Sequence, residues 1–148
     1  MERRLTGGVV RIRHAEYVDA IPELKHVFLV GDLQRPTPHP FIRDDRVELV
    51  VVGYDAGDDG TYHWHRDVTE YEIVVEGEIG YFEVATGETH WFSAGDLVAI
   101  PAGACVKRLV RRPARGLTLK VPSSAVKVHC RECPRECTSR VEPFAGPR

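Results

Sequence analysis

Residues 57–77 read GDDGTYHWHRDVTEYEIVVEG, and this stretch decides the fold. It begins and ends with glycine and contains His63, His65 and Glu70. On a β-strand successive side chains point to opposite faces, so His63 and His65 share one face while Trp64 points away. The short polar step that follows can bring the Glu70 carboxylate beside the two imidazoles. The spacing therefore predicts three side chains that can hold one metal ion.

The predicted donor set has two nitrogen ligands and one oxygen ligand, which leaves coordination positions open for water or substrate. Such a set is typical of non-haem iron(II) oxygenases and, less selectively, of zinc, manganese or nickel sites. We therefore expect one divalent ion, with Fe(II) favoured and Zn(II) second. The alternative is a pair of surface histidines on a polar loop beside an ordinary glutamate. The flanking glycines and the strand-rich surroundings argue against it.

The pattern in residues 57–77 resembles the first motif of the cupin superfamily, Gly-x5-His-x-His-x(3 or 4)-Glu-x6-Gly, at every fixed position. Residues 95–103, Gly-x5-Pro-x-Gly, resemble the opening of the second cupin motif. The resemblance covers residues 46 to 121. It implies an all-β, cupin-type double-stranded β-helix (jelly-roll) barrel with the metal inside, and a homodimer, the common state of relatives. It does not identify the reaction, because one fold hosts many chemistries.

The second motif departs from the family pattern where it would supply a histidine, because that position is Val106. Relatives with four protein ligands take the last one from this position. The resemblance therefore implies a site with three ligands unless another residue substitutes. If Val106 faces inward, its neighbours Cys105 and Lys107 point away, and only a one-residue bulge would bring Cys105 to the metal. A three-ligand site is more open, which suits a substrate that chelates the ion.

Strand alternation also places a second carboxylate in the barrel. If Glu70 points inward, so do Glu72 and Val74. An isolated buried charge is costly, so we expect Glu72 to be paired or chemically used. Arg108, inward by the same count from Val106, is the predicted partner. The pair either forms a structural salt bridge or is catalytic, with Glu72 as general base and Arg108 as clamp for an anionic substrate.

Composition is that of one globular domain. The chain has 148 residues, a hydrophobic share of 43% and a formal net charge of -2. This charge, with interspersed signs, gives no reason to expect nucleic acid or a membrane surface as the main partner. From the predicted site we expect a small-molecule substrate. No apolar run approaches the roughly 20 residues of a membrane helix, and the start lacks the apolar run of a secretion signal. We expect a cytoplasmic protein.

The chain reads as one structural domain in three parts. We expect N-terminal strands and a loop packing on the barrel in residues 1–45, the barrel in 46–128 and a cysteine-rich tail in 129–148. The proline-rich segment 36–40 is expected to form a rigid loop over the barrel mouth, and 17–24 at most one helical turn. Alternating or β-branched runs predict strands at 9–13, 25–30, 47–54, 70–76, 79–84, 88–92, 97–100 and 117–121.

The tail carries a second cluster, His129-Cys130-x2-Cys133-x3-Cys137. In a reducing compartment three thiols this close together predict metal binding before a disulfide. We expect a structural zinc or iron ion bound by Cys130, Cys133 and Cys137, with His129 or Cys105 as a further ligand. An iron-sulfur cluster ranks below zinc. The alternative is a tail whose thiols bind no metal.

The favoured function is a metal-dependent enzyme, most specifically a non-haem iron oxygenase or dioxygenase acting on a small anionic substrate. Within the same class, a zinc ion acting as Lewis acid can support an isomerisation, a lyase step or a rearrangement in small-molecule biosynthesis. A different class is a non-enzymatic ligand- or metal-sensing module, for which the cysteine tail is the argument.

Overall fold

The computed structural model describes residues 1–124 and 127–129 of the chain. All structural statements below concern these residues. The predicted tail ligands Cys130, Cys133 and Cys137 lie outside the described residues, so the tail site stays a prediction.

The regular secondary structure of the described residues is almost entirely β-strand. Helical structure is confined to the one-turn helix α1 (Ile21–Leu24), with Pro22 in its first turn, and to 3-10 turns at His14–Glu16 and Val18–Ala20. Proline is tolerated in a first turn, where its missing N–H has no helical partner to lose. The strands are β1 (Glu2–Arg4), β2 (His26–Val30), β3 (Phe41–Arg43), β4 (Glu48–Tyr54), β5 (His63–Trp64), β6 (Thr69–Glu76), β7 (Glu78–Glu83), β8 (Glu88–Ser93), β9 (Leu97–Ile100), β10 (Val106–Leu109), β11 (Ala114–Val121) and β12 (Val128–His129).

The strands form two sheets that enclose the core. One has seven strands in the order β1-β3-β2-β4-β11-β6-β9, and the other has five in the order β12-β5-β10-β7-β8. Most neighbouring pairs are antiparallel, and the pairs of β3 with β1 and with β2 are parallel. The main core cluster draws its apolar side chains from both sheets. The predicted all-β, two-sheet architecture is confirmed.

Side-chain alternation along β6 follows the predicted period of two. Glu70, Glu72 and Val74 are buried, whereas Tyr71 is 40% and Ile73 47% exposed. The inward face of β6 is thus buried from Glu70 to Val74 and ends at the exposed Glu76. The strand therefore carries two carboxylates into the interior.

The strand predicted at residues 9–13 is wrong. These residues have no strand pairing, and Val9 is fully exposed. A β-branched run forms a strand only where a neighbouring strand completes its hydrogen bonds, and no strand of the described residues pairs with this segment. Conversely, β1, β3 and β12 are two or three residues long, too short for any period to appear in the sequence. The strand predicted at 97–100 has the predicted bounds, and the other predicted strands are present with at least one end shifted by one to three residues.

The turn between β6 and β7 requires glycine. Gly77 has a φ of 77°, and a Cβ at this position would overlap with the carbonyl oxygen of Pro113. Any other residue would meet both backbone strain and a steric clash. The last glycine of the 57–77 pattern therefore allows the turn before β7 to pack closely against Pro113, in the loop before β11.

Candidate functional site

The two histidines and the glutamate of the 57–77 pattern lie together inside the barrel. His63 belongs to β5, His65 follows that strand directly, and Glu70 lies near the start of β6. All three side chains are buried, and their potential ligand atoms lie within 4.8 Å of one another. His65 Nε2 is 2.7 Å from Glu70 Oε1. The described residues contain no other group of three ligand-type side chains this close together.

The protonation states of His63 and Glu70 suit a metal ion. His63 Nδ1 donates to the carbonyl oxygen of Thr61 at 2.9 Å, which leaves Nε2 as the acceptor nitrogen. Burial, together with the charge of Lys127, lowers the pKa of His63 to about 3, so the ring is neutral. Burial alone would raise the pKa of Glu70. The hydrogen bond with His65 and the nearby Lys120 ammonium outweigh it and lower the pKa to about 2. Neutral imidazole and ionised carboxylate are the forms that bind divalent metals.

The position that would carry the second-motif histidine is apolar. Val106 lies opposite His63 in the pairing of β10 with β5, and its side chain is buried in the main core. Its neighbour Cys105 is turned to the other face, where it packs with Trp64 and Val128. No bulge brings Cys105 to the three ligand-type side chains. In the described part of the chain, Cys105 therefore does not belong to the barrel site.

A cavity of about 450 Å³ opens beside His63 and Glu70. Its wall includes residues 36–39 of the proline-rich segment 36–40. That loop is held by its own hydrogen bonds: Thr37 Oγ1 donates to the His39 carbonyl at 2.6 Å, and buried His39 Nδ1 lies 3.1 Å from the Pro40 carbonyl. The ligand-type cluster thus faces a space large enough for a small organic molecule.

Glu72 lies in the same cavity wall, but its partners differ from the prediction. Tyr81 Oη donates to Glu72 Oε1 at 3.1 Å, and Thr118 Oγ1 donates to Oε2 at 2.8 Å. Burial is the main cause of a raised pKa at Glu72. The predicted ion pair with Arg108 is wrong, since none forms within the described part of the chain. Two hydroxyl groups stabilise the carboxyl group without a cation in contact.

Arg108 also lies in the cavity wall, held by other groups. Its guanidinium carbon is 4.0 Å from the centre of the Tyr54 ring, and Nη1 is 3.3 Å from Tyr54 Oη. Nη2 donates to the Asp58 carbonyl oxygen at 3.0 Å. The Asp58 carbonyl group and the Tyr54 side chain therefore hold the Arg108 guanidinium in place, and the Glu72 carboxylate does not contact it.

His26 is a site residue that sequence reasoning missed. Its Nε2 is 3.0 Å from Tyr54 Oη, and its side chain lines the cavity. Because a guanidinium only donates, Tyr54 Oη accepts from Arg108 and its own proton is left for His26. Burial, helped by the charge of Arg108, lowers the pKa of His26 to about 4. No ligand spacing in the sequence marks this residue, since only the β2–β4 pairing brings it to Tyr54.

Two lysines add positive charge to the cavity, and the sequence did not indicate either. Lys120 Nζ lies 2.9 Å from Glu48 Oε1 and 3.9 Å from Glu70 Oε1. Lys127 also lines the cavity, and burial, followed by the charge of Lys120, lowers its pKa. No carboxylate among the described residues forms an ion pair with Lys127. As far as the described residues go, the cavity therefore contains a half-buried lysine whose ammonium group forms no ion pair.

The family comparison agrees with this fold. The family model described as a cupin domain matches residues 50–109. Residues 50–109 therefore form a cupin domain. No curated protein matches the chain. None of the helices in the described residues is long and apolar enough to cross a membrane.

Solved structures with the same fold share little sequence with this chain. An uncharacterized conserved protein with a double-stranded β-helix domain from Klebsiella pneumoniae is 19% identical, with a TM-score of 0.54 over 60% of this chain and 74% of that one. The DMSP lyase DddQ from Ruegeria pomeroyi is 23% identical, with a TM-score of 0.57 over 70% of this chain and 50% of that one. KdgF from Halomonas sp. is 24% identical, with a TM-score of 0.51 over 55% of this chain and 74% of that one. At these identities the similarity is one of fold.

Proposed function

We propose that this cupin is a metal-dependent enzyme that acts on a small anionic substrate. The observation that carries the proposal is the buried group of His63, His65 and Glu70, which opens onto a cavity that also contains Lys127. No carboxylate in the described part of the chain forms an ion pair with this lysine. The donor set fits a divalent ion, because it offers imidazole nitrogen and an ionised carboxylate and leaves coordination positions open. When bound, the ion would supply Lewis-acid polarisation and, as iron(II), dioxygen chemistry.

Substrate charge follows from the cations of the cavity. Lys120 already contacts Glu48, whereas Lys127 has no such partner among the described residues. A buried ammonium is costly without a counter-charge, so an anionic substrate that supplies one binds more tightly than a neutral analogue. Arg108 donates to the Asp58 carbonyl oxygen and packs on the Tyr54 ring. We assign it the role of orienting the end of the substrate that lies farther from the metal.

Proton transfer is assigned to Glu72. This carboxyl group lies two residues from Glu70 on the same inward face of β6 and lines the cavity. Tyr81 and Thr118 hold both its oxygens in place. Burial raises the pKa of Glu72, and a carboxyl group with a raised pKa holds a proton more readily than an exposed one does. Glu72 would then move a proton on a substrate held by the cations of the cavity.

The reaction favoured by the donor set is oxygenation with iron(II), since two histidines and one carboxylate with open positions are typical of non-haem iron oxygenases. The second candidate is a lyase or isomerase that uses zinc as Lewis acid. The observation in its favour is Glu72, because proton transfer beside a polarised substrate is what such reactions require. Metal content separates the two candidates.

The first experiment is a metal inventory of anaerobically purified protein by elemental analysis. We expect one ion per barrel, and His63→Ala and Glu70→Ala each to lower that content. Iron as the bound metal, with oxygen uptake in the presence of substrate, supports the oxygenase. Zinc without uptake supports the Lewis acid. Unchanged metal content in both variants would contradict the proposed site.

The second experiment tests the charge of the substrate with oxalate as a chelating anionic probe. The protein is loaded with cobalt(II), and oxalate binding is followed by the visible absorption of the ion. Lys127→Met should weaken oxalate binding at least about tenfold, since an ion pair in a partly buried site contributes on the order of 1.4 kcal/mol or more. Lys107→Met is the matched control, because that ammonium lies over the Tyr62 ring, 5.2 Å from its centre. Equal affinity in the Lys127→Met variant and the parent would refute the anionic assignment.

A further inference from the structure

The strand that follows the barrel places a third imidazole beside the candidate metal site. β12 pairs with β5 on the edge opposite to β10, and in this pairing His129 is the partner of His63. Side chains directly opposite each other in an antiparallel pair lie on the same face. The neighbouring pair, Val128 and Trp64, is buried in the second core cluster on the other face. The burial of Val128 therefore fixes His129 on the ligand side of the sheet.

Distances support this placement. The ring centres of His63 and His129 are 6.4 Å apart, compared with 5.6 Å for His63 and His65. A second cavity, of about 340 Å³, is lined by both His65 and His129. His129 thus lies at the edge of the ligand-type cluster. It is exposed, so its ring can rotate without displacing core side chains.

Thr61 contacts the Nδ1 atom of both His63 and His129. Its carbonyl oxygen accepts from His63 Nδ1 at 2.9 Å, and its hydroxyl oxygen lies 3.0 Å from His129 Nδ1. When His129 Nδ1 donates to this hydroxyl, Nε2 carries the lone pair, as it does in His63. Such a contact at the second nitrogen is the usual way in which a protein orients a metal-binding histidine.

We propose that His129 is a fourth protein ligand of the barrel metal and takes the place of the histidine that the second motif lacks at Val106. This inference rests on the proposed metal site. Val106 and His129 are the two cross-strand partners of His63, one from β10 and one from β12. The chain would thus supply its last imidazole from the opposite edge of β5.

The test uses the full-length chain with Cys130, Cys133 and Cys137 replaced by serine, so that the tail thiols cannot hold the ion. The metal-free protein is loaded with zinc, the imidazole count is read from X-ray absorption, and the affinity is measured by competition with a chromophoric chelator. We expect three imidazoles in this parent and two in His129→Ala. The affinity should fall at least about tenfold, since even the partners that orient a ligand contribute that much. His129→Gln, which retains a polar group near Thr61, should also lose one imidazole.

Controls separate a ligand from a structural effect. His90→Ala removes an exposed histidine that contacts Glu83 on β7 and should change neither the count nor the affinity. Adding Val106→His to His129→Ala should restore three imidazoles. Two imidazoles and equal affinity in both the parent and His129→Ala would overturn the inference, even if His63→Ala abolishes binding and the barrel site stands. Absence of zinc binding by the parent would overturn both the inference and the proposed function.

Discussion

His26 gives a prediction that tests the hydrogen-bond network of the cavity without changing a candidate metal ligand. Its Nε2 accepts the Tyr54 hydroxyl proton, and Tyr54 Oη accepts from Arg108. This arrangement requires a neutral imidazole, in agreement with a pKa lowered to about 4 by burial and by Arg108. Replacing His26 with glutamine keeps an acceptor for Tyr54 and removes the titration.

The size of the effect follows from linkage. The unfolded chain binds a proton at His26 with a pKa near 6.5, whereas the folded protein does so only near 4. Between these values the unfolded state binds more protons, so the His26 contribution to stability is present above pH ~6.5 and is lost as the pH falls towards ~4. Between about pH 7 and pH 5 this loss amounts to about 2 kcal/mol.

The assay is urea unfolding of the metal-free protein, followed by the fluorescence of Trp64 and Trp91, at a series of pH values. When the pH is lowered from about 7 to about 5, the free energy of unfolding should fall further in the parent than in His26→Gln. The difference between the two decreases should be about 2 kcal/mol. His90→Gln controls for the removal of an exposed histidine. Parallel stability curves for the parent and His26→Gln across this range would refute the network as described.

Three further predictions concern Glu72, the β6–β7 turn and the tail. Thr118→Val removes a donor to buried Glu72 and should lower the free energy of unfolding by about 1–3 kcal/mol, measured with urea, whereas the exposed Thr89→Val should have little effect. Gly77→Ala should lower it by more than ~1 kcal/mol, because of the positive φ and the adjacent carbonyl, and an unchanged thermal midpoint would contradict this. Cys133→Ser should remove a separate equivalent of metal in elemental analysis and leave the barrel ion; a parent with at most one ion per chain would argue against the tail site.

The sequence predicted correctly those features that depend on a short-range period or on residue spacing. The alternation that buries Glu70 and Glu72 and exposes Tyr71 was predictable, because it depends only on the geometry of one strand. The spacing also predicted that His63, His65 and Glu70 lie close together, as the structure shows, while their role as metal ligands stays a prediction.

The errors and omissions have a common cause. The pairing of Glu72 with Arg108 was inferred from parity, but parity gives the face of a side chain and not its nearest neighbour. Tyr81 and Thr118 contact Glu72, and Tyr54 contacts Arg108, because strand register and packing bring these groups closer. The strand expected at 9–13 failed for a similar reason, since local propensity cannot supply a neighbouring strand.

By itself, the sequence determined that the chain is all-β, that it carries the first cupin motif and that two carboxylates enter the barrel on one strand. These features follow from short-range geometry along the chain. Only the tertiary structure decided that His26, Lys127 and His129 lie around the cluster. Their positions depend on the pairing of β2 with β4 and of β12 with β5, between segments distant in sequence. Such register is set by the packing of the whole barrel, which no local pattern encodes.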